Sequence, residues 1–334
     1  MRTIGRRLAV AALLLATAVA AQAQCKFKRI ATIPIEWRHD RLTLDGSIND
    51  TPLRMTVDTG SMQTVLAAAM SERLKLTPVH INNFQVGVGG RSEESMVRLD
   101  EFSLGRIQWT HMKVVVAWQA DGMPDVLVGA PLLFGRDVEL DDKAISYYSA
   151  EGCDDAPLGY WADGVPWLRM ESSPAEDQRV FVTVNVNGTP VRALVDSGAP
   201  SSVLDVAVAR KLGFHPEDPA LVVGSVGGIG EHRNPISVIT LDSVAIGPEI
   251  VHKARIQVAD MWASAKADTR PSERGDLLDQ GEEMVLGADF IRAHRLLFAT
   301  SQRRLYFSYL GGEVFSAPKP APAAATAASS APGH

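Results

Sequence analysis

The sequence contains little cysteine, few aromatic residues and less positive than negative charge. It has two cysteines and 6% aromatic residues, and 33 Lys and Arg stand against 39 Asp and Glu, for a net charge of −6. We expect no nucleic-acid partner, because phosphate binding requires clustered cations. The eight histidines never fall at a ligand spacing such as His-x-x-x-His, so no metal site is expected. The length of 334 residues suits two modest domains of a soluble globular protein.

A long hydrophobic run stands near the N-terminus. Met1–Arg7 is basic, Leu8–Ala21 is almost unbroken apolar sequence, and Ala21–Ala23 has the small-x-small pattern of a cleavage site. This order predicts a secretory signal peptide over residues 1–23. A membrane anchor is the alternative, but the run is shorter than the roughly 20 residues of a spanning helix. We therefore expect an exported protein, periplasmic or secreted, with no stable membrane span once the leader is removed.

The two cysteines, Cys25 and Cys153, would both remain in the exported chain. In an oxidising compartment a disulfide between them is expected to form. Two unpaired thiols are the alternative that the sequence leaves open. Neither cysteine has a histidine nearby that would suggest a nucleophile.

The chain contains an internal duplication. Several patches recur at a constant offset of 138 positions, which is hard to obtain by chance. The pairs are Thr51–Arg54 with Thr189–Arg192, Val57–Gly60 with Val195–Gly198, Val65–Leu66 with Val203–Leu204, and Val88–Gly90 with Val226–Gly228. A further pair, Leu127–Ala130 with Val285–Ala288, is 158 positions apart. The second half therefore carries about twenty extra residues before Gly287, a length that a loop accepts at small cost.

Each half is predicted to be mainly β. Alternating β-branched residues predict strands over 42–48 and 180–186, and Asn187-Gly188 predicts a hairpin turn. Residues 65–76 and 203–212 are predicted to be short helices, and a further short helix is expected after Gly129 and after Gly287.

The same patterns divide the chain into segments. After the leader, we expect a first lobe over residues 24–152, a connector over 153–178 and a second lobe over 179–315. The second lobe contains the polar insertion near 259–284, which either shapes access to a site or is a solvated loop. Residues 316–334 are almost all Ala, Pro, Ser and Thr and are expected to be a disordered tail.

Both halves contain a strand, Asp-Thr/Ser-Gly, a hydrophobic segment, a Gly-Gly hairpin and two aliphatic residues before a glycine. The first motifs are Asp58-Thr59-Gly60-Ser61-Met62-Gln63-Thr64-Val65-Leu66 and Asp196-Ser197-Gly198-Ala199-Pro200-Ser201-Ser202-Val203-Leu204. Over most of residues 38–310 the sequence resembles the retropepsin-like aspartic protease family, in a single-chain form with two retropepsin-like halves. The resemblance implies a mainly β fold of two β-barrel lobes related by a pseudo-two-fold axis.

The resemblance also implies a catalytic pair, Asp58 and Asp196. Two carboxylates about 3 Å apart cannot both ionise, so the pair shares one proton and provides an acid and a base together. Thr59 and Ser197 are expected to lock the two loops through their hydroxyls. Gly60 and Gly198 are expected to let each backbone approach its twin.

The glycine-rich hairpins are expected to be flaps over this pair. The residues concerned are Gly87, Gly89 and Gly90 in the first half and Gly224, Gly227, Gly228 and Gly230 in the second. A flap opens for substrate and closes to exclude water. An exposed hairpin without a gating role is the alternative.

The sequence thus predicts an aspartic endopeptidase that takes an extended polypeptide between its lobes and requires no metal or organic cofactor. No further oligomer is required for its active site. A catalytically silent peptide-binding protein of the same fold is the alternative, and a processing enzyme with a single protein target is a third possibility.

Overall fold

The computed structural model describes residues 25–117, 124–171, 177–228, 231–268 and 282–315. The predicted leader, the predicted tail, Gly230 and the middle of the insertion lie outside these residues. No helix in the described part of the chain has the length and apolar character needed to cross a bilayer.

The described residues of the first half form ten strands and two short helices. The strands are β1 (Lys26–Arg38), β2 (Arg41–Ile48), β3 (Thr51–Asp58), β4 (Val65–Ala67), β5 (Val79–Gly87), β6 (Gly90–Leu104), β7 (Ile107–Ala117), β8 (Val126–Gly129), β9 (Asp137–Leu140) and β10 (Ala144–Glu151). The helices are α1 (Ala68–Arg73) and α2 (Ala130–Leu133).

The rest of the described chain forms twelve further strands, three short helices and one 3₁₀ turn. The strands are β11 (Trp167–Arg169), β12 (Phe181–Val186), β13 (Thr189–Val195), β14 (Val203–Asp205), β15 (Val222–Gly227), β16 (Arg233–Thr240), β17 (Ser243–Ile246), β18 (Glu249–His252), β19 (Arg255–Ala259), β20 (Met284–Leu286), β21 (His294–Ala299) and β22 (Arg304–Tyr309). The helices are α3 (Val206–Lys211), a 3₁₀ turn (Pro219–Leu221), α4 (Ala263–Asp268) and α5 (Ala288–Arg292).

The two halves share one strand order, which confirms the predicted mainly β fold of two similar lobes. In the first lobe the order is β5-β6-β7-β4-β8-β3-β2, and in the second it is β15-β16-β19-β14-β20-β13-β12. The central pairs β3–β8 and β13–β20 are parallel in both lobes. Each lobe thus brings the end of its Asp-containing strand beside the start of a glycine-led helix.

The prediction of helices over residues 65–76 and 203–212 was wrong for the first three residues of each segment. Val65–Ala67 and Val203–Asp205 are strands, and the helices begin only at Ala68 and Val206. Strand β4 lies between β7 and β8, and Val65 and Leu66 are fully buried there. A residue buried on both faces gains more from a central sheet position than from a helix with one exposed side.

A sheet that mixes strands of both halves joins the lobes. Its order is β11-β22-β21-β9-β10-β1, and β1 continues directly into β2 of the first lobe. Strand β21 of the second half pairs with β9 of the first, with Leu296 opposite Leu140 and Phe298 opposite Val138. Because these side chains are buried in one apolar core with both lobes, the two halves form one packed unit.

Cys25 and Cys153 form a disulfide between the start of β1 and the segment that follows β10. The chain separation that it closes is 128 residues. Its neighbourhood is a small apolar cluster that includes Leu158, Leu297 and Tyr306.

Candidate active site

The two Asp-containing loops begin where the central strands of the lobes end. Asp58 is the last residue of β3 and lies opposite Gly129 of β8. Asp196 follows β13 directly, and its amide donates a hydrogen bond of 2.9 Å to the carbonyl of Leu286. The apolar strands that precede them are buried, so the aspartates are held at the point where each chain leaves the core.

The glycines of the later duplicated motif fit tightly against these loops. A Cβ on Gly129 would overlap the carbonyl of Gln63, and a Cβ on Gly287 would come within 2.5 Å of the carbonyl carbon of Ser201. Any larger residue would push the loop away from its strand. This explains why both halves need glycine after two aliphatic residues.

The two loops exchange hydrogen bonds in matched pairs. The Thr59 hydroxyl donates to the carbonyl of Val195 at 2.7 Å and accepts from the amide of Ser197 at 2.9 Å. The Ser197 hydroxyl donates to the carbonyl of Val57 at 2.7 Å and accepts from the amide of Thr59 at 3.2 Å. Both side chains are buried, so these four bonds form where water cannot compete. They fix the loops against each other across the pseudo-two-fold axis.

The carboxyl group of each aspartate faces the glycine of the opposite loop. A Cβ on Gly60 would overlap the Asp196 carboxyl group, and a Cβ on Gly198 would overlap that of Asp58. Each carboxylate also accepts the amide of the glycine two residues ahead, at 3.1 Å for Asp58 and 2.8 Å for Asp196. The structure therefore brings Asp58, Asp196 and their predicted neighbours together in one place.

One proton is favoured on this pair. The pKa of Asp58 lies well above its ordinary value because burial disfavours the charged form, and because Asp196 adds a negative charge and a hydrogen bond beside it. Burial also raises the pKa of Asp196, but amide donors from Gly198, Ala199 and Gly60 oppose the rise. The pair titrates as a unit that holds one proton.

Two arginines flank the pair at the duplication offset of 138 positions. Arg41 and Arg179 both line the cleft, and both feel the charge of Asp196. Burial lowers the pKa of Arg41 against the raising effect of the two aspartates. Arg179 makes two hydrogen bonds of 2.8 and 2.9 Å to Asp177, which keep its pKa raised despite burial. Their positive charges favour the singly ionised form of the pair.

Sequence reasoning missed these arginines and one buried acid. Glu282 also lines the cleft, and burial raises its pKa beside Asp196 and Arg179. The arginines had a usable signal, because they recur at the same offset as the motif residues. Glu282 had no such signal, because the matching position of the first half, 158 residues earlier, is Pro124 and not an acid.

The aspartates lie at the floor of a cleft of about 760 Å³. Its second-lobe wall is apolar and contains Val203, Val226, Ile236, Met261 and Trp262. An apolar side chain of a ligand that packs on this wall would lose its unfavourable contact with water. Among the described residues, no group of three or more His, Cys, Asp or Glu side chains is placed to bind a metal ion.

Predicted flap glycines from both hairpins line the cleft, namely Gly87 in the first half and Gly227 and Gly228 in the second. Gly87 and Gly90 close the β5–β6 hairpin around Val88 and Gly89, and Gly227 and Gly228 lie at the end of β15. A Cβ on Gly228 would be 3.4 Å from the Val88 side chain, so the two hairpin ends are in contact. Gly224 differs, because it lies within β15 beside a register shift rather than at the hairpin end.

Comparison with known proteins gives a family and several distant relatives. A family model described as "Aspartyl protease" matches residues 44–132 and 182–290, more than half of the chain and one segment in each lobe. Protein DDI1 homolog 2 from Danio rerio is 26% identical over 149 residues, which cover 44% of this chain and 31% of that protein. Protein DDI1 homolog 2 from Homo sapiens is 24% identical over 155 residues, 46% of this chain and 34% of that protein. The chain thus matches only about a third of these relatives' length.

Two solved structures are similar at low sequence identity. An aspartic proteinase from Irpex lacteus is 11% identical, with a TM-score of 0.48, and the match covers 84% of this chain and 97% of that one. A retropepsin-like aspartic protease from Rickettsia conorii is 16% identical, with a TM-score of 0.29, and the match covers 38% of this chain and 96% of that one.

Proposed function

Because the chain belongs to the aspartyl protease family, we propose that it is an aspartic endopeptidase in which Asp58 and Asp196 activate water against a peptide bond. The carrying observation is the cross-loop arrangement: reciprocal Thr59 and Ser197 bonds hold two carboxyl groups together with one favoured proton. A carboxylate beside a carboxylic acid has both functions that uncatalysed peptide hydrolysis lacks.

The proposed reaction needs no group beyond this pair and water. The ionised carboxylate takes a proton from the water as its oxygen adds to the peptide carbonyl carbon, while the protonated carboxyl donates to the carbonyl oxygen. The tetrahedral intermediate then collapses: the C–N bond breaks as the leaving nitrogen receives the proton that the first carboxylate took from water. A hydroxyl of the intermediate returns its proton to the other carboxylate as the C=O bond re-forms. One carboxylate and one carboxylic acid remain, so the pair is ready for another turnover.

A polypeptide is the proposed substrate. The cleft is lined by residues of both lobes, and the ends of the β5–β6 and β15–β16 hairpins border it. We expect an extended chain to bind there through its main-chain groups. The apolar second-lobe wall supports binding of at least one large hydrophobic side chain.

We also propose that the protein is exported. The leader-like sequence of residues 1–23 motivates this, and the disulfide between Cys25 and Cys153 supports it, since such bonds persist in oxidising compartments. Fractionation of cells that express the full chain checks it, and recovery of the protein only in the cytoplasmic fraction would contradict it.

Replacement of either aspartate by asparagine tests the proposed chemistry. Asp58→Asn and Asp196→Asn should each lower peptide cleavage by about 100- to 10,000-fold, because each removes one partner of the acid–base pair. The measurement is turnover of a peptide library from acidic to neutral pH, with Asp142→Asn, an exposed residue, as the matched control. Wild-type rates in either cleft variant would rule out the pair as the catalyst.

A second assay separates an enzyme from a silent peptide-binding protein. A peptide with a hydroxyl in place of the scissile carbonyl mimics the tetrahedral intermediate, so it should inhibit cleavage more strongly than the matching substrate peptide. Peptide binding without any cleavage, across the library and the pH range, would favour the binding protein instead.

A further inference from the structure

The insertion of the second lobe begins with a helix that touches the flap of the first lobe. We name residues 87–91, at the end of the β5–β6 hairpin, the first flap. Helix α4 starts four residues after β19 ends and packs against β6. The change of offset from 138 to 158 places the extra residues of this region in the second half only.

We propose that α4 is a latch that holds the first flap closed over the aspartate pair, and that Asp268 is its positioning residue. The part of this inference that concerns turnover rests on the proposed protease function, but the contact between helix and flap does not.

Asp268 is the link between helix and flap. Its Oδ2 accepts a hydrogen bond of 2.9 Å from the amide of Arg91 in the first flap. Its Oδ1 lies 3.4 Å from Nε2 of His232, which precedes β16. One carboxylate therefore joins the insertion, the first flap and the second-lobe hairpin.

The hairpin of the second lobe adds two more ties to the same flap. The amide of His232 donates to the carbonyl of Gly89 at 2.9 Å, and the side-chain amide of Asn234 donates to the carbonyl of Val88 at 3.0 Å. Asn234 is itself held from the helix, because the hydroxyl of Ser264 donates to its Oδ1 at 2.7 Å. Helix α4 thus reaches the flap directly through Asp268 and indirectly through Ser264 and Asn234.

Gly90 is fitted to this contact. Its φ of +100° is a conformation that side-chain-bearing residues rarely adopt. A Cβ at this position would also overlap Oδ2 of Asp268. The glycine predicted as a flap residue therefore serves the close approach of the helix carboxylate.

The start of the insertion also faces the cleft. Met261 and Trp262 line its apolar wall, and the carbonyl of Trp262 accepts the amide of Lys266 within the helix at 2.8 Å. A substrate side chain that packs on Trp262 therefore presses on the same short helix that holds the flap. Substrate binding and flap closure should favour each other through this segment.

The latch should act on substrate binding more than on chemistry. A closed flap adds main-chain contacts to a bound peptide, and its loss removes binding shared by the ground and transition states. We expect Asp268→Ala to raise KM by about 10-fold and to change kcat by less than about 3-fold. Asp268→Asn keeps an oxygen that can accept the Arg91 amide, so it should restore most of the wild-type KM.

Hydrogen–deuterium exchange of the intact protein tests the latch without any substrate. Exchange in a peptide that covers residues 87–92 should become about 10-fold faster in Asp268→Ala and remain near wild type in Asp268→Asn. Lys266→Ala is the matched control, because Lys266 lies on the same helix but pairs with Asp260. Ser264→Ala cuts the second tie and should accelerate the same peptide if Asp268→Ala is too unstable to measure.

The possible results separate the two proposals. Unchanged exchange of the flap in Asp268→Ala, or equal acceleration in Lys266→Ala, would overturn the latch. A fall in kcat at unchanged KM would also overturn it. If the wild-type protein cleaves no peptide, the protease proposal fails, and the exchange data alone still decide whether α4 holds the flap.

Discussion

The two aspartates are chemically unequal although they derive from one duplicated motif. For Asp196, amide donors led by that of Gly198 oppose the rise in pKa that burial causes, whereas for Asp58 the neighbouring Asp196 charge adds to that rise. Amide donors stabilise a carboxylate and a neighbouring negative charge disfavours one, so the pair keeps one proton between its two carboxyl groups. At the level of single residues, the two copies of the motif therefore place their carboxyl groups in different surroundings.

This inequality predicts how stability depends on pH. Because the folded-state pKa of Asp58 is raised, its folded form binds the proton more tightly than the unfolded chain, and stability falls as pH rises from the unfolded value, about 3.9, through the raised pKa. Asp58→Asn removes this loss while keeping a donor toward Asp196. Its Tm should therefore exceed that of the wild type at pH 7, and the difference should shrink toward pH 4.

Thermal unfolding followed by circular dichroism at pH 4 to 7 measures this difference. Asp142→Asn, at an exposed position that does not line the cleft, is the control variant. A lower Tm for Asp58→Asn at pH 7 would contradict the raised pKa.

The sequence identified most residues of the candidate site because their signal is local. Asp58, Thr59 and Gly60 are contiguous, and their copies recur at a fixed offset. Glu282 and Asp268 could not be found this way, because their importance comes from the charge of Asp196 near Glu282 and from the Arg91 amide that Asp268 accepts. Asp196 and Arg91 are both distant in sequence from these acids. A pattern within a few residues carries no information about such partners.

At the level of elements, the strands of each lobe were predictable and the sheet between the lobes was not. The hairpin signal at Asn187-Gly188 falls where β12 turns into β13. The pairing of β21 with β9 joins residues more than 150 positions apart, since Leu297 lies opposite Glu139. Neither segment has a local pattern that names its partner.

A buried ion pair stabilises the pairing of β21 with β9. Two guanidinium nitrogens of Arg295, from β21, donate to Oε1 of Glu139, from β9, and the Glu139 side chain is 2% exposed. The hydroxyls of Tyr148 and Tyr160 each lie 2.6 Å from Oε2 of the same carboxylate. The glutamate thus has four contacts that compensate its burial.

Loss of the arginine should destabilise the whole protein. Arg295→Ala leaves the Glu139 charge buried, and we expect the free energy of unfolding to fall by about 3 kcal/mol, the low end for broken buried pairs because both tyrosines still donate. Chemical denaturation measures the change. Adding Glu139→Gln should recover part of the loss, and Arg54→Ala, whose partners Glu36 and Asp45 are exposed, is a control expected to cost less than about 1 kcal/mol. An Arg295→Ala cost no larger than the control would contradict the assigned role.

At the scale of the whole molecule, the disulfide between Cys25 and Cys153 constrains the first half of the chain. Replacing both cysteines by serine should lower the free energy of unfolding by about 2–4 kcal/mol, since the unfolded chain regains the freedom of a long loop. Neither cysteine lines the cleft, so KM and kcat at 25 °C should stay unchanged.

Denaturant titration of the double variant, compared with the wild type with and without a reductant, measures this contribution. The reductant should have no effect on the double variant, which makes it the control. An equal midpoint for oxidised wild type and double variant would count against the bond as a stabilising element.

The continuous sheet beneath the cleft has a mechanical consequence. Strands β22 and β21 of the second half continue into β9 and β10 of the first, so spreading the lobes would require breaking the backbone hydrogen bonds along β21–β9. The part of the molecule that contains this sheet should therefore resist separation of the two lobes. For the proposed endopeptidase, we expect a peptide substrate to enter past the flap hairpins and flap opening to set the rate of its entry.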